Sequence, residues 1–165
     1  MNRHESPRPG KRGQVLRAEG SWILSAPPCL QAVLERSGWY PGRSIGVSSW
    51  TQEIVSDGFV VSDFAPGIWR SLGGLELASG RTASLLIDPA DVQDYGDAPF
   101  VAFPARFGQQ FCPIGSVEVL NLFVGSEAAI VAECGPGPGR KEADAPADAL
   151  HALLFPEGDR GCRNA

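Results

Sequence analysis

Asp88, Asp91, Asp94 and Asp97 recur at every third position around Tyr95, the densest group of carboxylates in the 165-residue sequence. Carboxylates at this density can hold a cation, trade protons, or present a charged docking surface. A calcium loop of the EF-hand type places its first oxygen ligands at every second residue and keeps a glycine at the sixth. The three-residue interval does not give that arrangement, and Pro89 and Gly96 oppose the continuous helix that would align the four aspartates. Three readings stay open for the stretch: a solvated acidic loop, a surface for a basic partner, and a metal site. The expectation adopted is a partner surface of Asp88, Asp91, Asp94, Tyr95 and Asp97, extended by Glu118 on a later hairpin, with no metal and no cofactor.

Other chemistry has little to stand on. The only histidines are His4 and His151, so neither a Ser-His-Asp nor a Cys-His arrangement can be assembled from neighbouring residues or motifs. His151 is expected on the surface of a helix. Phosphate-cradling glycine loops are missing: no Gly-x-x-x-x-Gly-Lys and no Gly-x-Gly-x-x-Gly after a strand. No catalytic residue is expected. Cys29, Cys112, Cys134 and Cys162 form neither close pairs nor a pattern with histidine, and they are expected to be reduced and structural.

The chain is long enough to bury a core without staples, and its 43% apolar and 20% charged residues are an ordinary globular composition. No apolar run approaches a membrane span. The first ten residues lack the apolar middle of a signal peptide, which gives the expectation of a cytoplasmic protein. The formal charge of −5 is unevenly spread. Residues 1–18 hold five basic groups against one acid, and the rest holds nine against eighteen. An acidic body of this kind disfavours nucleic acid and anionic membranes and favours a basic protein partner.

These candidates must be positioned by an α+β arrangement. Residues 1–20 are rich in Pro, Gly, Arg and Ser and read as a disordered basic tail. Leu30, Val33 and Leu34 share one face of a helix over about 27–37 that stops at Gly38. Ser49 to Gln52 has the capping-box pattern ahead of a second helix closed by Gly58. Phe64, Ile68 and Leu72 give a third, with Pro66 acceptable only in its first turn. The period then changes. Leu75–Leu77 and Ala83–Ile87 read as a hairpin, and Asp88–Asp97 as an acidic loop. A short helix is expected over about 104–109, and Cys112 to Gly115 as a turn leading into a strand over 117–124. Gly125–Glu127 turns into a partner strand over 128–133. Gly135–Gly139 reads as a flexible loop, 147–155 as a closing helix, and 157–165 as a frayed tail. One domain over 21–156 is expected, a mixed or antiparallel sheet with helices packed on it.

A second group of residues carries a resemblance. Leu34-Glu35-Arg36-Ser37-Gly38-Trp39-Tyr40-Pro41-Gly42-Arg43 is followed by Gly58-Phe59, by Leu72-Gly73-Gly74-Leu75 and by Pro113-Ile114-Gly115. This succession resembles the third subfamily of SUKH proteins: a helix ending in Gly-Trp, a Gly-Arg two residues on, a Gly-Phe, a Gly-Gly-Leu, and a Pro-x-Gly before a hairpin. The similarity runs from about Leu30 to Leu154. It implies the SUKH-like fold and an immunity protein, a cytoplasmic antidote that binds and blocks a bacterial polymorphic toxin, often a nuclease. The basic tail and the Gly-Pro loop after Cys134 depart from the pattern.

Physical roles for the motif residues follow from their types. Gly38 permits a left-handed helix stop, and Trp39 can bury a face against Leu30 and Leu34. Arg43, delivered by the Pro41-Gly42 turn, can fork onto a carboxylate or onto helix-terminal carbonyls, or can touch a partner. Gly73 and Gly74 permit a sharp turn into the sheet, and Pro113 and Gly115 stand before the hairpin. Two functional readings remain: a toxin-neutralising binder, and a non-catalytic regulatory or scaffold module of the same superfold. An unrecognised hydrolase would need a pocket of converging carboxylates.

Overall fold

The computed structural model describes residues 21–80, 84–135 and 137–156. The tails expected at 1–20 and 157–165, with His4 and Cys162, lie outside them. Four helices come first: α1 (Ser21–Leu24), α2 (Pro28–Arg36), α3 (Ser48–Ser56) and α4 (Phe64–Leu72). The hairpin β1 (Glu76–Leu77) and β2 (Leu85–Leu86) follows, then a 3-10 turn over Pro89–Asp91 and helix α5 (Ala102–Phe107). The chain continues through β3 (Phe111–Val117), β4 (Leu120–Gly125), β5 (Ile130–Glu133) and β6 (Arg140–Ala143), and closes with α6 (Pro146–Leu154).

All six strands form one sheet in the order β1-β2-β3-β4-β5-β6, and every pairing is antiparallel. The mixed-or-antiparallel expectation resolves to an antiparallel meander. Helix α4 packs on β3 and β4, and α6 on β6 and α2. The apolar face of α4 contributes Ile68, Trp69 and Leu72, which meet Ile114, Leu122 and Phe123 of the sheet in one core. Full burial of side chains this size stabilises by roughly 1.5–3 kcal/mol each before chain entropy is set against it.

Two local expectations are corrected, and one strand is added. Cys112 to Gly115 is part of β3, and the register slips between Pro113 and Gly115. Proline is tolerated there because it sits at a bulge, where the ladder needs no N–H from it. At Gly115 a Cβ would collide with the carbonyl oxygen of Leu86 on the neighbouring strand, so the close approach of β2 needs glycine. The single strand expected over 117–124 is two strands joined by a tight turn at Glu118–Val119, with Glu118 at φ 52°. The segment after Gly139 is an edge strand that apolar patterning could not announce, since Arg140, Lys141 and Glu142 dominate it.

Helix ends differ in smaller ways. Helix α3 begins at Ser48 with Val47 as its cap and makes no side-chain cap bond, and Thr51 Oγ1 donates instead to the Val47 carbonyl at 2.9 Å. Helix α5 starts two residues before the expected position and carries Pro104 in its first turn. Cys29 is disulfide-bonded, against the expectation of four reduced cysteines, while Cys112 and Cys134 are free thiols. Burial pushes the Cys112 thiol up to about 12, so it stays protonated and inert.

Candidate functional site

The Gly38-Trp39, Gly42-Arg43 and Gly73-Gly74 parts of the motif come together at one corner. Helix α2 stops in a Schellman arrangement: Gly38 N–H donates to Glu35 O at 3.0 Å and Trp39 N–H to Leu34 O at 2.9 Å, with Gly38 at φ 99°. The same device ends α3, where Gly58 N–H donates to Val55 O and Phe59 N–H to Ile54 O, both at 3.1 Å. Each glycine is followed by a buried aromatic residue that folds back on the core, so Gly-Trp and Gly-Phe are one construction used twice.

Tyr40-Pro41-Gly42-Arg43 then makes a tight turn, closed by Arg43 N–H on Tyr40 O at 3.0 Å. The turn aims Arg43 at the end of α4. Its Nη1 donates to Ser71 O and its Nη2 to Gly73 O, each at 2.8 Å. Neighbouring backbone satisfies the other carbonyls there: Ile45 N–H donates to Arg70 O and Leu75 N–H to Leu72 O. A helix leaves its last four carbonyls without partners, and a cation at that end also complements the helix dipole. Arg43 is therefore engaged inside the fold through two of its donors. Gly73 lies against the Trp69 carbonyl and the Trp50 ring, where a Cβ would clash, and Gly74 N–H opens the sheet pairing by donating to Ile87 O at 2.7 Å.

The acidic stretch is a shaped strap. Asp88 caps the 3-10 turn, its Oδ1 accepting from Ala90 N–H at 2.9 Å. Asp91 Oδ2 accepts from Ser116 Oγ on β3 at 2.5 Å. Asn121 of β4, a buried polar residue, donates from Nδ2 to Gln93 O at 2.5 Å and accepts from Gln93 N–H at 3.4 Å. Beyond that clamp Asp94 adopts φ 55°, and Tyr95 inserts its ring among Phe59 (5.4 Å between centroids), Phe100 (6.2 Å) and Phe123 (6.1 Å). Partial burial raises the Tyr95 phenol above its ordinary value, and the nearby Asp57 charge adds to the effect. The carbonyl of Asp97 receives Phe100 N–H at 3.1 Å and Val101 N–H at 3.0 Å, which starts the approach to α5.

Asp91, Asp94 and Asp97 thus stay exposed on a strap pinned at Asn121 and Tyr95. Glu118, expected to extend the surface, stands in the β3–β4 turn and shares no hydrogen bond or ion pair with the strap. Ser116 and Asn121, which hold the strap, were not singled out from the sequence; Asn121 had a signal there, as the one amide within the apolar run 119–124. Among the described residues no group of three or more His, Cys, Asp or Glu is placed to hold a metal ion. None of the described helices is long and apolar enough to cross a membrane.

Residues 26–127 match the family model described as SUKH-3 immunity protein. The chain belongs to the SUKH-3 immunity protein family. No curated protein and no solved structure matches it. The SUKH-3 match takes in α2, both Gly-aromatic helix stops, the Arg43 corner, the acidic strap and the β3–β4 hairpin, and ends before β5. The residues that carried the resemblance in sequence are, in three dimensions, helix stops, a helix-end clamp and a strand bulge.

Proposed function

We propose that this chain acts by binding a cognate bacterial polymorphic toxin and blocking it, with no catalytic step of its own. Membership of an immunity-protein family carries the reading. The face used is the acidic strap, with Asp91, Asp94 and Asp97 as its charges and Tyr95 as its anchored aromatic. Charges arranged this way steer a basic partner and speed its association, and they repel nucleic acid and anionic lipid. A toxin that itself grips nucleic acid has the basic surface such a face would cover, so a nuclease fits best. The setting is the bacterial cytoplasm. Because a reducing compartment opens disulfides, the assays below are run with reductant present.

Cells expressing the cognate toxin survive when this chain is co-expressed and die without it; no gain in survival contradicts the proposal and favours a regulatory or scaffold role. Replacing Asp91, Asp94 and Asp97 together by Asn slows association with the toxin and flattens its dependence on salt. Unchanged association kinetics at low salt would remove the strap from the interface.

A further inference from the structure

Beside the strap, large apolar side chains face solvent together. Val101 is 65% exposed and Phe100, at the entry to α5, 37%. Single exposed apolar residues are normal, but a contiguous group marks a binding surface. Phe100 and Val101 adjoin in the chain, and the Phe100 ring is backed by the buried Phe59 at 4.5 Å and flanked by the half-buried Tyr95 at 6.2 Å. Its edge covers Gly58, where an added Cβ would stand 3.8 Å away. Val55 and Val60, which bracket Gly58 in the chain, are 55% and 60% exposed. From Phe100 the surface continues through Val101 into a shallow depression walled by Asp97, Ala98, Ala102, Gly137 and Pro138.

The segments that supply this group carry charge of one sign. Segments 44–69 and 84–105 supply all of these residues except Gly137 and Pro138, and they contain seven aspartates and glutamates with no lysine, arginine or histidine. Arg106, the first cation past Val101, donates from Nη1 to the carbonyls of Pro138 and Gly139 at 3.2 and 2.8 Å and so stands at the Gly137–Pro138 wall, leaving the Asp57, Asp94 and Asp97 side as the acidic part of the rim.

We propose that Tyr95, Phe100 and Val101 are the apolar centre of the binding face, and that its occupant is a protein surface presenting an apolar side chain ringed by lysine or arginine. This rests on the toxin-binding reading above and adds to it the chemistry of the partner. Interfaces concentrate their energy in a few desolvated aromatic and aliphatic contacts near the middle, while rim charges set approach and orientation. Here the aromatic rings are already packed against Phe59, so little side-chain freedom is lost when they are covered. The partner's apolar side chain seats beside Val101 in the depression, and its cations meet Asp57, Asp94 and Asp97.

The test uses the full chain and two synthetic peptides of equal length and equal positive charge, one alternating Lys with Leu and the other Lys with Ser. Binding is followed by amide chemical shifts. The Leu-Lys peptide is expected to move the signals of Tyr95, Phe100 and Val101 and to bind at least tenfold more tightly than the Ser-Lys peptide. Val101→Asp, at an exposed site that tolerates the change, should abolish that preference although it makes the face more negative. Val101→Ser, as a milder second variant, should reduce it. Equal binding of the two peptides, shifts centred elsewhere, or tighter Leu-Lys binding by Val101→Asp would overturn the proposal. The readout needs no toxin. A chain that protects cells but does not discriminate the peptides loses only the apolar centre, and one that discriminates without protecting loses only the toxin-binding reading.

Discussion

Arg43 Nη2 donates to the carbonyl oxygen of Gly73 at 2.8 Å across a separation of 30 residues, with Nη1 on Ser71 alongside. One side chain thereby fastens the segment after α2 to the place where α4 hands over to the sheet. Hydrogen bonds from a charged donor are worth about 1.5–3 kcal/mol each, and removing the donor leaves part-buried carbonyls unpaired. Arg43→Ala should cost about 2–3 kcal/mol in urea unfolding, since paired bonds of this kind are not additive. Arg43→Lys should recover less than half, because an ammonium is a point donor and not a fork. Full recovery by lysine would mean that charge alone, and not the two-pronged geometry, holds the corner.

Gly73→Ala tests the same corner from its backbone. The added methyl group meets the Trp69 carbonyl and the Trp50 ring, and neither can withdraw without disturbing α3 or α4. A loss of about 1–3 kcal/mol is expected, the usual cost of overpacking, and it should appear as a lower midpoint with an unchanged denaturant slope. An unchanged midpoint would show that Trp50 is free to move away.

Asn121 is the residue that shapes the strap from beneath. Asn121→Ala removes both bonds to Gln93 and leaves its backbone groups in need of water. The amide of Gln93 should exchange with deuterium at least tenfold faster, while amides in β3 and β4 away from position 121 keep their protection. Association with a basic partner should slow as well, because the aspartates lose their fixed arrangement. Wild-type exchange at Gln93 would mean that Tyr95 and Ser116 suffice to hold the strap.

Glu133 gives the protein a pH dependence with a definite sign. It is 2% exposed, its Oε1 accepts from Gly137 N–H at 3.1 Å, and its Oε2 has no hydrogen-bond partner among the described residues. Burial raises its carboxyl from the ordinary 4.5 to about 7, and the Gly137 bond offsets only part of this. Between those two values the folded chain holds a proton that the unfolded chain has released, so this group's contribution to stability falls as pH rises through that window. Glu133→Gln keeps an acceptor for Gly137 and carries no charge. It should be more stable than wild type at pH 8 and should show no advantage below pH 4.5, as read from unfolding midpoints at both values. A constant difference across the range would place the titration elsewhere.

The longer helices were legible because each rule for reading them is local, whereas the four-residue α1 is too short to show a period. Leu30, Val33 and Leu34 recur with the helical period, and Gly38 and Gly58 end their helices within the same few residues. The sheet was harder, since strand ends depend on partners distant in sequence. Cys112-Pro113-Ile114-Gly115 has the composition of a turn, yet pairing with β4 draws it into a strand with a bulge. β6 has no apolar alternation because it lies at an edge. The acidic run was visible as a cluster, but its shape comes from Ser116 and Asn121 and from the aromatic ring of Phe123, all more than twenty positions away. The apolar group at Phe100 and Val101 escaped notice because exposure leaves no mark on sequence: Phe100-Val101-Ala102-Phe103 looks like core throughout, and only Phe103 is buried there in full.

A meander has two open edges, and here both are poor templates for another chain. One is the two-residue β1 and the other is β6, with Arg140, Lys141 and Glu142 in succession. Short length and charged side chains discourage a second molecule from adding a strand. Blunted edges of this kind let the chain reach high concentration without aggregating through its sheet.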